Sequence, residues 1–196
     1  MAKYFKNISN IITGHVFRSK IPYNTDGNVN LLNMDAISTA GIVHISENDI
    51  KKIQLNDIKP EEIIMPGDIL FKAKGLNNTA VLIDTIPPNT TVTASCHIIR
   101  VADKTFLPEY VCTWLNSVAA KKHFSKGAGQ ATGVTIANVS KVTLESLEIP
   151  SIPVKEQKLI AGIEELASQE KELRLKIAEK KDLLNRAIIE KELQKY

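Results

Sequence analysis

Two periodicities divide the chain. From Leu159 onward apolar residues recur in steps of four and three among dense charges: Leu159, Ile163, Leu166, Leu173, Ile177 and Leu184 mark one seam. That alternation is the pattern of a coiled coil. Glu170 and Lys180 occupy two positions of the same seam, where a charge costs stability but helps to set register. No glycine follows Gly162 and no proline follows Pro153. One helix is therefore predicted from Pro153 to Tyr196, roughly 60 Å long at about 1.5 Å per residue. Such a helix either projects and pairs with a partner, or folds back as an amphipathic element on its own domain.

Before the helix the period shortens. Glu62 to Met65, Ile69 to Ala73, Thr79 to Asp84, Thr91 to Val101 and Val142 to Ile149 are β-branched and apolar stretches separated by Gly, Pro, Asn and Asp, which predicts short strands. Pro108 opens a helical segment reaching Phe124, with Tyr110, Val111, Trp114, Leu115, Val118 and Ala119 on related faces. A loop from Ser125 to Thr135 carries three glycines, and Ile136 to Val139 forms a short turn of helix or strand. Pro150-Ser151-Ile152-Pro153 is an extended linker. The expected architecture is α+β: an irregular, mainly β domain with short helices over residues 1–150, then a long coiled-coil helix over 151–196.

Composition narrows the class. The chain has 196 residues, 43% of them hydrophobic and 24% charged, enough for one core with an appendage. No apolar run is long enough to cross a bilayer, and the opening Met-Ala-Lys-Tyr-Phe-Lys lacks the core of a signal peptide, so a cytoplasmic protein without a membrane partner is expected. Cys96 and Cys112 stand in apolar contexts with no metal-ligand spacing and read as buried free thiols. Net charge is only +3, which neither establishes nor forbids a nucleic-acid partner. Basic residues do cluster, at Arg18 with Lys20, at Lys72 with Lys74, and at Lys121, Lys122 and Lys126.

Enzymatic motifs fail on inspection. Ile86-Pro87-Pro88-Asn89 has the wrong order for an amino-methyltransferase motif and reads as a turn. The Gly127-Ala128-Gly129-Gln130 run lacks the lysine and hydroxyl of a phosphate-cradling loop. No pattern of paired acids with lysine on a sheet suggests a nuclease. Catalysis is expected in partners, and no cofactor in this chain.

Several segments together resemble a known family. They are Met65-Pro66-Gly67-Asp68-Ile69-Leu70-Phe71, Lys74-Gly75, Thr93 to Arg100, Pro108-Glu109-Tyr110 to Leu115-Asn116-Ser117, and Leu147-Glu148-Ile149-Pro150 before Pro153 with Glu156-Gln157-Lys158. With Ile12-Thr13-Gly14 and Phe17 at the start, their order is similar to the target-recognition domain and helical spacer of type I restriction-modification specificity subunits. Such subunits usually carry two recognition domains and two helices, and here there is one of each. The resemblance implies a half-size subunit that dimerises through its helix, with Leu159, Ile163, Leu166, Leu173, Ile177 and Leu184 as the seam. The Met1 start fits a complete short chain, a piece of a longer protein being the alternative.

The same resemblance implies double-stranded DNA as ligand, methyltransferase subunits as partners that use S-adenosylmethionine, and a restriction or translocase subunit in a full complex. Base edges are read by Arg, Lys, Asn and Gln, while other basic and hydroxyl groups hold phosphates. Three loops carry these residue types. In Lys72 to Thr79, Lys72 and Lys74 supply charge, and Asn77 and Asn78 carry the amides suited to adenine. In Lys126 to Thr135 the candidates are Lys126, Gln130 and Thr132, and in Thr13 to Asn24 they are Arg18, Lys20 and Tyr23. His15 is the one histidine worth testing for DNA contact, and His97 reads as a hydrogen-bonded core residue. Each loop reads equally as an ordinary solvated turn. The competing reading of the whole chain is a non-enzymatic protein- or ligand-binding module that a coiled coil oligomerises. Steep salt dependence of duplex binding separates the two.

Overall fold

The structure is a computed structural model in which residues 1–33, 41–75, 78–127 and 137–195 are described, Lys126, Gly127, Ala137 and Glu172 by their backbone alone. The chain opens with β1 (Ala2–Tyr4), β2 (Ser9–Thr13), β3 (Val29–Leu32), β4 (Gly41–His44) and β5 (Ile50–Ile53). It continues with β6 (Ile69–Lys72), β7 (Lys74–Gly75), β8 (Ala80–Thr85), β9 (Thr90–Thr91) and β10 (Cys96–Val101). Then come α1 (Pro108–Asn116), α2 (Val118–Gly127), β11 (Ala137–Asn138), α3 (Lys141–Glu145), β12 (Glu148–Pro150) and α4 (Val154–Leu193). The mixed α+β architecture with a long terminal helix agrees with the sequence reading.

A five-stranded sheet in the order β2-β10-β6-β8-β4 lies at the centre, antiparallel except where β4 joins β8. Both its faces are covered, which is why Ile69-Leu70-Phe71 and His97-Ile98-Ile99 are continuous runs rather than alternations. Ile69, Phe71 and Ile99 point to one side and pack with Phe5, Ile8, Tyr110, Val111, Leu115, Phe124 and Leu144 beneath the helices. Leu70, Ile98, Val81 and Ile83 point to the other and meet Leu32, Ile45, Ile64 and Val92. Beside this second layer stands a three-stranded sheet, β5-β3-β9, with its own small core of Val29, Leu31, Ile53 and Leu55. β1 pairs with β12 and ties the N-terminus to the linker.

Several local expectations change. Val142 to Ile149 is not one strand. Ser140 accepts a hydrogen bond from the Thr143 amide at 3.1 Å and caps the short helix α3, leaving Val142 exposed while Leu144, Leu147 and Ile149 are buried. The helix opened by Pro108 breaks at Ser117, whose backbone is extended and whose hydroxyl receives the Ala120 amide at 3.2 Å, so two helices form. Glu62 to Met65 is not a strand: a tight turn at Pro60–Glu62 leads into an irregular segment that the Ile64-to-Thr90 backbone bond holds. Thr91 to Val101 is interrupted between β9 and β10.

The Met65-Pro66-Gly67-Asp68 turn has a structural role at one end of the sheet. Gly67 adopts φ +88°, which a side chain disfavours. The Asp68 carboxylate accepts the Met65 amide at 2.8 Å and both Nε and Nη2 of Arg100 at 2.8 Å, and Nη2 also donates to the Ile63 carbonyl. Asp68 is 2% exposed. The Arg100 guanidinium is held above its ordinary pKa first by its hydrogen bonds to Asp68.

Candidate nucleic-acid interface

The opposite end of the central sheet carries the loops. β2 ends there at Thr13 and β6 at Lys72, while β10 begins there at Cys96, β8 at Ala80 and β4 at Gly41. The loops after β2 and β6 therefore start side by side. Residues 93–95 strap them together: Ser95 O accepts the amides of Ala73 and Lys74, and the Ala94 amide bonds His15 O. Gly14 is required in this strap, since a Cβ there would collide with the carbonyls of Val92 and Thr93. The strand that follows the third candidate loop reaches the same place, β11 pairing with β7 and Asn138 standing opposite Lys74. The structure thus brings the starts of two loops and this strand to one sheet end.

Within the loop after β6, Lys74 is exposed and Lys72 half-buried, and neither forms an ion pair among the described residues. Asn78 departs from its expected role. Its Nδ2 donates to Lys72 O at 3.0 Å and Ala73 O at 3.1 Å, so the amide closes the loop instead of facing outward. Asn77, Gln130 and Thr132 lie outside the described residues, as does the side chain of Lys126.

Arg18, Lys20 and Tyr23 follow a different course. Their loop folds back along the three-stranded sheet, anchored by Phe17 and Ile21 on that small core, and Tyr23 bridges to Ile53. Arg18 and Lys20 are exposed without ion pairs among the described residues, and Tyr23 is 53% exposed. This packing adds cations that the sequence reading missed. Lys51 lies over the Tyr23 ring at 5.4 Å, and Lys52 is exposed on the same strand. Lys59 lines an open cavity of about 590 Å³ together with Arg18. The signal available was Ile50-Lys51-Lys52-Ile53, which reads as a surface strand until Tyr23 is placed against it. His15 is a correction: it is nearly buried, its Nδ1 2.7 Å from Glu62 Oε2 and its ring edge-on to Phe17 at 4.9 Å, so it is already engaged.

His97, Cys96 and Cys112 are structural. His97 donates through Nε2 to Val139 O at 3.1 Å and accepts at Nδ1 from the Thr13 hydroxyl at 3.3 Å, the arrangement of a neutral imidazole. Burial holds its pKa below the ordinary value, opposed by the Val139 bond. Burial pushes the Cys96 and Cys112 thiols up to about 12, which disfavours the reactive thiolate, and the two form no disulfide. Among the described residues no cluster of His, Cys, Asp and Glu could hold a metal, and no helix is long and apolar enough to cross a membrane.

The long helix is anchored only at its base. Gln157 is fully buried, and Ser168 approaches Gly41 at the loop-bearing end of the sheet. The seam residues Leu159, Ile163, Leu166, Leu173, Ile177 and Leu184 point elsewhere, each between 54% and 67% exposed, and Ile188 extends their line. The folded-back arrangement thus holds for the first turns alone, and through a different face.

No family model and no curated protein matches the sequence. Solved structures do match its fold. A chain of a type I R-M system superposes with a TM-score of 0.65 at 16% identity, covering 95% of this chain and 43% of that one. The HsdS subunit from Thermoanaerobacter tengcongensis gives 0.61 at 16% identity, covering 91% and 39%. The type IIG restriction endonuclease BpuSI gives 0.57 at 10% identity, covering 82% and 26%. The chain spans less than half of each. Its fold is the one found in a part of these restriction-modification proteins.

Proposed function

We propose that this chain is a non-catalytic, sequence-specific DNA-binding subunit of a type I restriction-modification system. Two copies pair through the α4 seam, each reads half of a split target, and together they recruit methyltransferase subunits that supply S-adenosylmethionine chemistry. A restriction or translocase subunit joins in the complete complex. The observation that carries this reading is the meeting of the loops after β2 and β6 with strand β11 at one sheet end, where Lys74, with Arg18 and Lys20 beside it, forms no ion pair among the described residues. The fold shared with the HsdS subunit supports it, and coverage of 39% of that chain suits a half-size unit. In this role unpaired cations hold phosphates and set register, while amide and guanidinium groups of the same loops read base edges in the major groove.

Two measurements test the proposal. Binding to a duplex with the methyltransferase present should weaken steeply with salt, log K falling by about 0.9 per neutralised phosphate for each decade. Salt-independent binding, or none, sinks the DNA reading in favour of a protein- or ligand-binding module. Leu173→Glu combined with Ile177→Glu should yield monomers in sedimentation, because both charges would have to enter the interface. An intact dimer moves self-association away from α4.

A further inference from the structure

Gln169 to Leu193 of α4 are exposed throughout the described side chains, so the direction in which this arm leaves the domain is decided between Val154 and Ser168. That stretch is poorly packed. A cavity of about 260 Å³ separates it from α1, β4 and β8. The α4 residues lining it, Lys158, Ala161, Gly162, Glu164 and Glu165, include no large apolar side chain. Interdigitated side chains are what normally stop a helix from tilting, and among the described residues α4 puts none into this open groove, although it touches α1 and β4 around it.

One side chain compensates. Gln157, 0% exposed, accepts the Leu107 amide at 2.8 Å through Oε1 and donates through Nε2 to Thr105 O at 2.8 Å and Ile152 O at 2.9 Å. Leu107 is the N-cap of α1 and Ile152 belongs to the linker, so a single amide joins the start of α1, the linker and the first turn of α4. Leverage makes this joint sensitive. From Gln169 to Leu193 the arm runs roughly 40 Å, and a tilt of about 5° moves its tip by about the 3.4 Å rise of one base pair.

We propose that Gln157 is a positioning residue for DNA recognition: by fixing the direction of α4 relative to the loop-bearing sheet end, it fixes the distance between the half-sites that two paired chains accept. The proposal rests on the DNA-reading, dimeric function given above. It assigns to the buried amide of the Glu156-Gln157 motif a role in target spacing, separate from base readout.

The test uses the full chain with its methyltransferase and the variant Gln157→Met, which keeps the length of the side chain and removes its hydrogen bonds. Spin labels at Lys121→Cys on α2 and Asp182→Cys on α4, in labelled chains diluted with unlabelled ones, report the angle of the arm by pulsed dipolar spectroscopy. The buried Cys96 and Cys112 take no label. Gln157→Met should broaden the distance distribution about twofold. Selection from duplexes of varied spacer length should show discrimination against a one-base-pair change falling to within about threefold, with half-site sequence preference kept. If Gln157→Met does not fold, Gln157→Glu, which retains the acceptor for Leu107, is measured the same way. A folded variant with an unchanged distance distribution, or with spacing discrimination intact despite a broadened one, overturns the proposal. Failure of the DNA reading itself is recognised separately, by absence of sequence-specific binding in the parent chain.

Discussion

The two ends of the central sheet use charge in opposite ways. At one end the Asp68 and Arg100 charges are committed to the chain: Arg100 makes two bonds to Asp68 and one to Ile63 O, and Asp68 also closes the Met65 turn. At the Lys72 end Asn78 and His97 are likewise satisfied, but Lys72 and Lys74 form no ion pair among the described residues. A charge built into a fold is paired and desolvated, whereas a charge kept for a partner remains solvated and single. The motif that looks most chemical in the sequence, Pro66-Gly67-Asp68, belongs to the first kind.

The contrast can be broken by exchanging the expected outcomes. Asp68→Ala leaves Arg100 without its partner and should lower unfolding free energy by about 3 kcal/mol, as for other disrupted buried pairs. A loss below about 1 kcal/mol in denaturant titration would show that the two ends do not differ in this way. Lys74→Ala should do the reverse. Stability stays within about 0.5 kcal/mol, while duplex affinity drops by about 1 to 3 kcal/mol where the lysine contacts a base. Fluorescence anisotropy showing unchanged affinity and unchanged salt slope removes this loop from the interface. Asn78→Ala should destabilise by about 1 kcal/mol through its lost loop-closing bonds and leave base preference alone, and a changed preference would restore it as a reader.

The smallest expected effect concerns pH. The folded pKa of His97 lies below the ordinary value of 6.5, so the unfolded chain binds the extra proton first as pH falls. The stability this histidine contributes is present in full above about pH 6.5 and is lost on acidification toward its depressed folded value, with a slope of at most about 1.4 kcal/mol per pH unit. Thermal melts between pH 7.5 and about 5 should show this slope reduced in His97→Gln. An equal slope in both proteins would mean that the imidazole binds its proton alike in the folded and unfolded chains.

Legibility followed the strength of local patterns. β6, β8 and β10 are continuous apolar runs because both sheet faces are covered, and the sequence marks them plainly. β1 is exposed throughout, β4 has no buried residue and β5 buries only Ile53, so hydrophobic alternation could not announce them. In the interface, Lys74 and Arg18 were readable as clustered basic residues near turns. Lys51 and Lys59 were not, because they join the others only when Tyr23 bridges to Ile53 and the 59–62 turn closes against the N-terminal loop.

By itself, then, the sequence determined the elements whose signal is local: the long seam-bearing helix, the three central strands and the two-proline linker. Only the tertiary structure decided what each polar residue is for. His15 differs from Lys74 and Arg18 through a partner distant in sequence, Glu62 lying 47 positions away, and Asn78 through loop carbonyls that only the turn of the chain brings within reach of its amide. Gln157 stands in a motif of the sequence, yet nothing there shows that its amide is buried or that its partners lie up to 52 positions away. A hydrogen bond is a statement about position in space, and periodicity along the chain carries no information about which donor will meet which acceptor.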